Sequence, residues 1–386
     1  MLDTALIDGL VAEVLPLVVE VRRAIHRHPE LSGEEYATTD LLSGVLRDHG
    51  VFPRLRTPQP GLIADVGKGD RIVAFRGDLD GLPIQEPDGN AVRSSIPGVM
   101  HACGHDAHAA MALGVALVAS RLDLSGRVRV IFQPAEETFP GGAYELLREG
   151  VLDGVEAILA FHVDPGLATG SVGLKHGAIT SSADRFFITL EGPGGHTARP
   201  HQTVDLIYVA GQVVTQLPAL MDRLVDARSP LTLVFGRVHG GTADNVIPTI
   251  VEMSGTLRTA DRDVWDVLPS MVDRLVRDIA SPLGAKMTAH YQRGIPPVIN
   301  NPAVVHSVEK SAERMLGEDR LVPTHVSMGA EDFARYLEDV PGALVRLGCS
   351  LEKTRTDLHS AGFVLDEACL ETGLRVGVAA VADLLG

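Results

Sequence analysis

The sequence predicts an α/β fold, with a largely parallel-sheet domain carrying an inserted split-βαβ, ferredoxin-like domain. Three observations carry this expectation. Short apolar runs at 71–75, 127–132 and 155–161 alternate with helical stretches, the pattern of a parallel sheet covered on both faces. Between residues 182 and 295 the order becomes strand, helix, strand, strand, helix, strand, the split βαβ arrangement of a small antiparallel sheet. At 386 residues the chain also exceeds the size at which one core usually stops growing. The expected domains are therefore 1–181 with 296–386, and 182–295 inserted between them.

Each element follows from its own pattern. Residues 5–27 place Leu6, Leu10, Val11, Val14, Leu15, Val18, Val21 and Ile25 at three- and four-residue spacings, an amphipathic helix that stops before His28-Pro29. A second helix is expected near 34–49. The three apolar runs follow, each leading into polar residues: Arg76-Gly77-Asp78-Leu79-Asp80, Gln133-Pro134-Ala135-Glu136-Glu137 and His162. Open α/β sheets bind ligands beyond the carboxyl ends of their strands, so these three loops should converge. Residues 107–120 are rich in Ala, Leu and Met and read as a buried helix. In the insertion, strands are expected at 186–190, 231–238, 249–258 and 286–292, with helices at 203–220 and 263–279. Beyond Pro296-Pro297 come a helix at 302–316, a strand at 343–347 and a final helix at 367–385.

The densest chemistry lies before the buried helix. His101, Cys103, His105, Asp106 and His108 fall within eight residues, and thiolate, imidazole and carboxylate are the donors that zinc and neighbouring metals prefer. Gly104 has no side chain to obstruct Cys103 and His105, while His101 and His108 flank the cluster as supporting residues. Adjacent Glu136 and Glu137 suit two tasks, one carboxylate holding an ion and the other taking a proton from water acidified by it. His196 in Pro193-Gly194-Gly195-His196 sits where glycines let the backbone approach a ligand.

Composition limits the alternatives. The formal charge of −16 repels polyanions, so neither nucleic acid nor an anionic membrane is expected as a partner. Cys103, Cys349 and Cys369 are odd in number and lack paired spacing, which suits a reducing, cytoplasmic setting. The N-terminal stretch carries Asp3, Asp8 and Glu13 and has no basic signal-type region. No apolar run reaches the ~18 residues of a membrane span. No strand leads into the glycine fingerprint of a nucleotide-binding dehydrogenase.

Ordered motifs then point to a family. Phe75-Arg76-Gly77-Asp78-Leu79-Asp80-Gly81-Leu82-Pro83, His101-Ala102-Cys103-Gly104-His105-Asp106, Gln133-Pro134-Ala135-Glu136-Glu137, Gly194-Gly195-His196, Asn245-Val246-Ile247-Pro248 and Gly329-Ala330-Glu331-Asp332-Phe333 resemble the M20 metallopeptidases. More narrowly, they resemble the branch of hippurate, N-acyl-amino-acid and auxin-conjugate amidohydrolases. His28-Pro29-Glu30-Leu31-Ser32 and Leu358-His359-Ser360 match too.

The resemblance implies metal ligation by Cys103, His105, Glu137, His162 and His359, with two divalent ions per subunit drawn from Zn, Mn, Co or Ni. It makes Glu136 the general base, Asp80 an orienting carboxylate and His196 a histidine that reaches the substrate carbonyl across a dimer interface. Asn245 and Arg258 would hold the substrate, and the insertion would serve as dimerisation and lid domain of a homodimer. The implied reaction is amide hydrolysis of an N-acyl amino acid. A dipeptidase or aminopeptidase on the same scaffold is the alternative, and a non-catalytic binding protein is a third reading. Two departures bear on substrate choice: Thr138-Phe139-Pro140 replaces the start of a glycine-rich run, with Phe139 expected at the pocket, and Ala361 stands where a proline is usual.

Overall fold

The structure is a computed structural model that describes residues 3–351 and 356–386. The chain divides into two compact units: Met1–Gly177, Ile299–His325 and Asp332–Gly386 form the first, Ala178–Val298 and Val326–Glu331 the second. Each has its own apolar core.

The first unit begins with α1 (Thr4–Arg27), whose stripe of Ile7, Val11, Val14, Val18, Val21 and Ile25 is buried, and whose first turn is capped by the Asp3 carboxylate accepting from Ala5 N at 3.0 Å. Next comes α2 (Tyr36–Asp48). The principal strands are β1 (Leu62–Gly67), β2 (Ile72–Asp78), β3 (Arg127–Gln133), β4 (Val155–Ala168) and β5 (Gly342–Ser350). Across the sheet the order is Arg54–Leu55, β1, β3, β2, β4, β5, Val172–Leu174 and Leu321–Pro323. Its centre, β3-β2-β4-β5, is parallel, while β1 runs antiparallel to β3. Helix α3 (His105–Ala119) is buried at every residue and, beyond its first turn, apolar all round, as a helix inside a large core must be. Helices α4 (Pro302–Leu316) and α5 (Cys369–Leu385) pack on each other, and α5 also packs on α1 and α3.

The strands outlast the apolar runs that announce them. β2 includes Asp78, and β4 continues to Ala168, so His162 lies within a strand rather than in the loop after it. The reason is pairing: β5 matches β4 residue for residue from Gly342 opposite Ile158 to Gly348 opposite Asp164. A backbone ladder does not stop where side chains turn polar.

The second unit has strands Ala183–Glu191, Leu231–His239, Ile250–Thr259 and Lys286–Ile295 with helices Leu206–Leu224 and Arg262–Ala280. All neighbours in its sheet are antiparallel, ordered 231–239, 250–259, 183–191, 286–295. This is the split βαβ arrangement. Among the described residues no helix is long and apolar enough to cross a membrane.

Candidate metal centre

Four separate segments of the first unit meet at one point. Cys103 and His105 straddle Gly104 at the start of α3, Glu137 comes from the loop after β3, His162 from mid-β4, and His359 from the stretch before α5. Cys103 Sγ lies 3.5 Å from His162 Nε2 and 3.3 Å from His359 Nε2. Glu137 Oε1 lies 3.0 Å from His359 Nε2 and 3.9 Å from His105 Nε2. Three overlapping groups, Cys103/His105/His162, Cys103/Glu137/His359 and His105/Glu136/Glu137, have donor atoms within 4.8 Å of one another.

These residues fit a divalent ion. His105 Nδ1 faces Asp80 Oδ1 at 3.1 Å, which leaves its buried Nε2 without a hydrogen-bond partner. Glu137 Oε1 is likewise buried, with His359 Nε2 3.0 Å away. His162 donates from Nδ1 to Val163 O at 2.8 Å, so its Nε2 lone pair points toward Cys103. Burial costs such groups their hydration with nothing in return unless a cation completes them. The Cys103 thiol is pushed up to about 12 by burial, and a cation against it is what would favour the thiolate. Burial also holds His162 neutral, well below the usual imidazole range, the form in which imidazole ligates.

A second layer orients these groups. Burial opposes ionisation of Asp80, but hydrogen bonds from His105, from Ser32 Oγ at 2.7 Å and from Glu137 N at 2.9 Å outweigh it and keep the carboxyl below its ordinary range. This is a carboxylate–histidine support of the kind metal sites use. Glu136 is 8% exposed, with Oε1 accepting from Asp332 N at 3.2 Å and Oε2 4.0 Å from His105 Nε2.

His108, expected as a supporting residue, belongs to this layer, whereas Arg76 and Asp78 have no ligand signature in the sequence. His108 donates from Nδ1 to Asp78 at 2.7 Å and accepts Val163 N–H at 2.9 Å. Arg76, 2% exposed, bonds Asp78, Gln133 and Asp332 together. The signal available was position alone, since Arg76 and Asp78 lie in one quoted motif and Asp332 in another. His101 is also buried, yet neither ring nitrogen has a hydrogen-bond partner. Phe139, expected at the pocket, is 49% exposed.

The remaining candidates lie in the second unit. His196 pairs with Val246 in a two-stranded ribbon, and Asn245 O accepts from Thr197 N at 3.3 Å, so His196 and Asn245 lie side by side on the two exposed segments of that ribbon. His196 Nδ1 accepts Ala198 N–H at 3.1 Å, which puts the proton of the neutral ring on Nε2. Arg258 lies toward the other end of strand Ile250–Thr259, half-buried, donating to Met328 O at 2.8 Å.

A parallel α/β sheet gathering thiol, imidazole and carboxylate donors at one point, with a second glutamate beside them, has the make-up of a metalloenzyme. The model of the peptidase family M20/M25/M40 matches residues 74–383, and the chain belongs to that family. It is 42% identical over 298 residues to the N-acyl-L-amino acid amidohydrolase of Geobacillus stearothermophilus, covering 76% of this chain and 80% of that one. It is 45% identical over 368 residues to a Rhodococcus jostii protein named for glutamate–cysteine ligase; this spans 94% of the present chain but 46% of the relative, about half its length. Among solved structures it resembles a dinuclear metal-binding M20 peptidase of Bacillus subtilis, with TM-score 0.86, 33% identity and coverage of 97% and 99% of the two chains.

Proposed function

We propose that the protein hydrolyses the amide bond of N-acyl amino acids, releasing a carboxylic acid and a free amino acid, with two divalent ions held by Cys103, His105, Glu137, His162 and His359. The observation that carries this reading is the division of the glutamate pair. Glu137 turns its buried oxygen toward two histidines, whereas Glu136 is held by Asp332 N–H beside them. The Geobacillus relative supports the substrate class. The membership of Cys103 in two donor groups and of His105 in three supports two ions.

When bound, the metal supplies a Lewis acid and lowers the pKa of water in its shell. Glu136 takes the proton of the attacking water and passes it to the leaving nitrogen as the carbonyl carbon gains oxygen and the C–N bond breaks. Asp80 holds His105 in the tautomer that offers Nε2. His196, from a second copy of the chain, donates from Nε2 to the carbonyl oxygen as negative charge gathers there. Asn245 and Arg258 hold the substrate. Apolar residues on the second unit, Val234 and Val238 on strand Leu231–His239 and Ile207 and Tyr208 on the neighbouring helix, are each about half exposed and support pairing of copies. Three free, buried cysteines support a reducing, cytoplasmic location.

The test is release of amino acid from N-acetyl, N-benzoyl and indole-acetyl amino acids and from unblocked dipeptides, with Mn- or Zn-loaded and chelated protein. Chelator-sensitive cleavage of blocked substrates is expected, with Glu136→Ala keeping its metal and losing about 10²–10⁴-fold in kcat. Cleavage of free-amine dipeptides alone would replace this reading with a peptidase.

A further inference from the structure

Of the N-terminal stretch His28–Ser32 and the helix it precedes, only Ser32 has a role above, yet they meet the loop bearing Glu136 and Glu137 directly. Glu35 is the residue immediately before α2, a position where a short polar side chain ordinarily caps its own helix. Its side chain makes no such bond. Glu30 does that work instead, accepting Ala37 N at 2.9 Å and Thr38 N at 2.8 Å. The Glu35 carboxylate is thereby released, fully buried, to accept Ala135 N–H at 2.7 Å, one hundred residues away.

Ala135 is where that bond matters. Among the described residues only Ala135 and His359 are non-glycine residues with positive φ, at 56° and 60°. Both are at the candidate site, and such strain persists only where the surroundings over-determine it. Around Ala135 the surroundings are explicit. Glu35 takes its N–H, Gly142 N donates to its carbonyl at 2.9 Å, and Glu137 N is held by Asp80. Gly142 can come that close because a Cβ there would stand 1.9 Å from Pro134 O. The left-handed step at Ala135 then lets Glu136 and Glu137, though adjacent, serve different partners.

We propose that Glu35 is a positioning residue that holds Ala135 in its left-handed conformation and so sets the directions of Glu136 and Glu137. The proposal rests on the roles given to those two glutamates above. Burial, with Asp80 nearby, pushes the Glu35 carboxyl up to about 7. Protonated or not, it keeps a lone pair for the Ala135 N–H.

The experiment measures kcat, KM and metal affinity of the apo-protein by chelator competition, for Glu35→Ala and Glu35→Gln, each in the native and in an Ala135→Gly background. Glycine adopts positive φ without strain, so the variant at 135 removes the need for the clamp. Glu35→Ala in the native background should lower kcat about 5- to 30-fold, the population factor of a left-handed alanine, weaken metal binding, and leave KM within about twofold. Glu35→Gln, whose amide oxygen can take the same N–H, should stay within about threefold. In the Ala135→Gly background the cost of Glu35→Ala should fall below about threefold. An equal cost in both backgrounds would overturn the proposal, because a residue that merely fills space is not rescued by a backbone change at 135. Should Glu35→Ala fail to fold, Ala135→Val with Glu35 intact asks the same question. A β-branched residue resists positive φ, and native kinetics and metal affinity in that variant would equally overturn it. The wild-type protein in the same assays judges the functional reading, and the ratios among variants judge the turn.

Discussion

Gly104, between two candidate ligands, is constrained both by its backbone and by its neighbours. Its φ is +82°, and a Cβ there would stand 2.4 Å from Val163 Cγ2 on β4. The sequence alone suggests glycine at this point because its neighbours must both face an ion. The structure adds a stronger reason, contact with a buried branched side chain next to His162, which no local pattern could display. Gly104→Ala should therefore cost ~2–4 kcal/mol in denaturant unfolding of the apo-protein, from left-handed strain plus overpacking. It should also weaken metal binding at least about tenfold, since Cys103 and His105 must shift with it. Unchanged unfolding would remove Val163 from the account. The same distinction separates the residues that were legible from those that were not. Cys103, His105 and Glu137 stand out by type and density, and His108 by its place beside them, whereas Asp78 and Arg76 acquire meaning only from partners that folding brings to them.

Elements were legible where hydrophobic period decides them and less so where pairing does. The stripe on α1 and the all-round apolar surface of α3 beyond its first turn announce an outer and an inner helix, and both form. β4 was foreseen only as far as Phe161, because its polar continuation is sustained by β5, a strand nearly two hundred residues later. Helix α3 also separates scaffold from chemistry. Leu113, fully buried, lies eight residues past His105, about two turns along. Leu113→Ala should destabilise the protein by ~2–5 kcal/mol through lost burial and a cavity, while the folded variant keeps its metal affinity. A parallel loss of metal affinity in chelator competition would show that the helix start is not held independently of its middle.

At the scale of the molecule, the candidate metal donors stand on one core, and the exposed ribbon bearing His196 and Asn245 stands on the other. If His196 serves a second copy, inactive Glu136→Ala and His196→Ala proteins should restore activity when unfolded and refolded together. A mixed pair contains one site with both residues native, so random pairing should regain about a quarter of wild-type turnover. Turnover no higher than the sum of the separately refolded variants would confine His196 to its own chain. The insertion was visible in the sequence because its strand and helix order differs from what flanks it. The short return of Val326–Glu331 to the second unit has no periodicity to reveal it.

The position of β5 has a consequence for how the protein is born. It lies inside the sheet, between β4 and Val172–Leu174, yet it is among the last strands to leave the ribosome. The main stretch of the second unit, Ala178–Val298, is complete well before it, and the short return Val326–Glu331 also precedes it. The inserted unit should thus mature during translation while the host sheet waits with β4 exposed as an open edge, the state most prone to mispairing with other nascent chains. Ribosome-arrested chains that end before β5 should yield a protease-resistant insert and a digestible host. A host already resistant at that stage would show that the sheet closes without its central late strand.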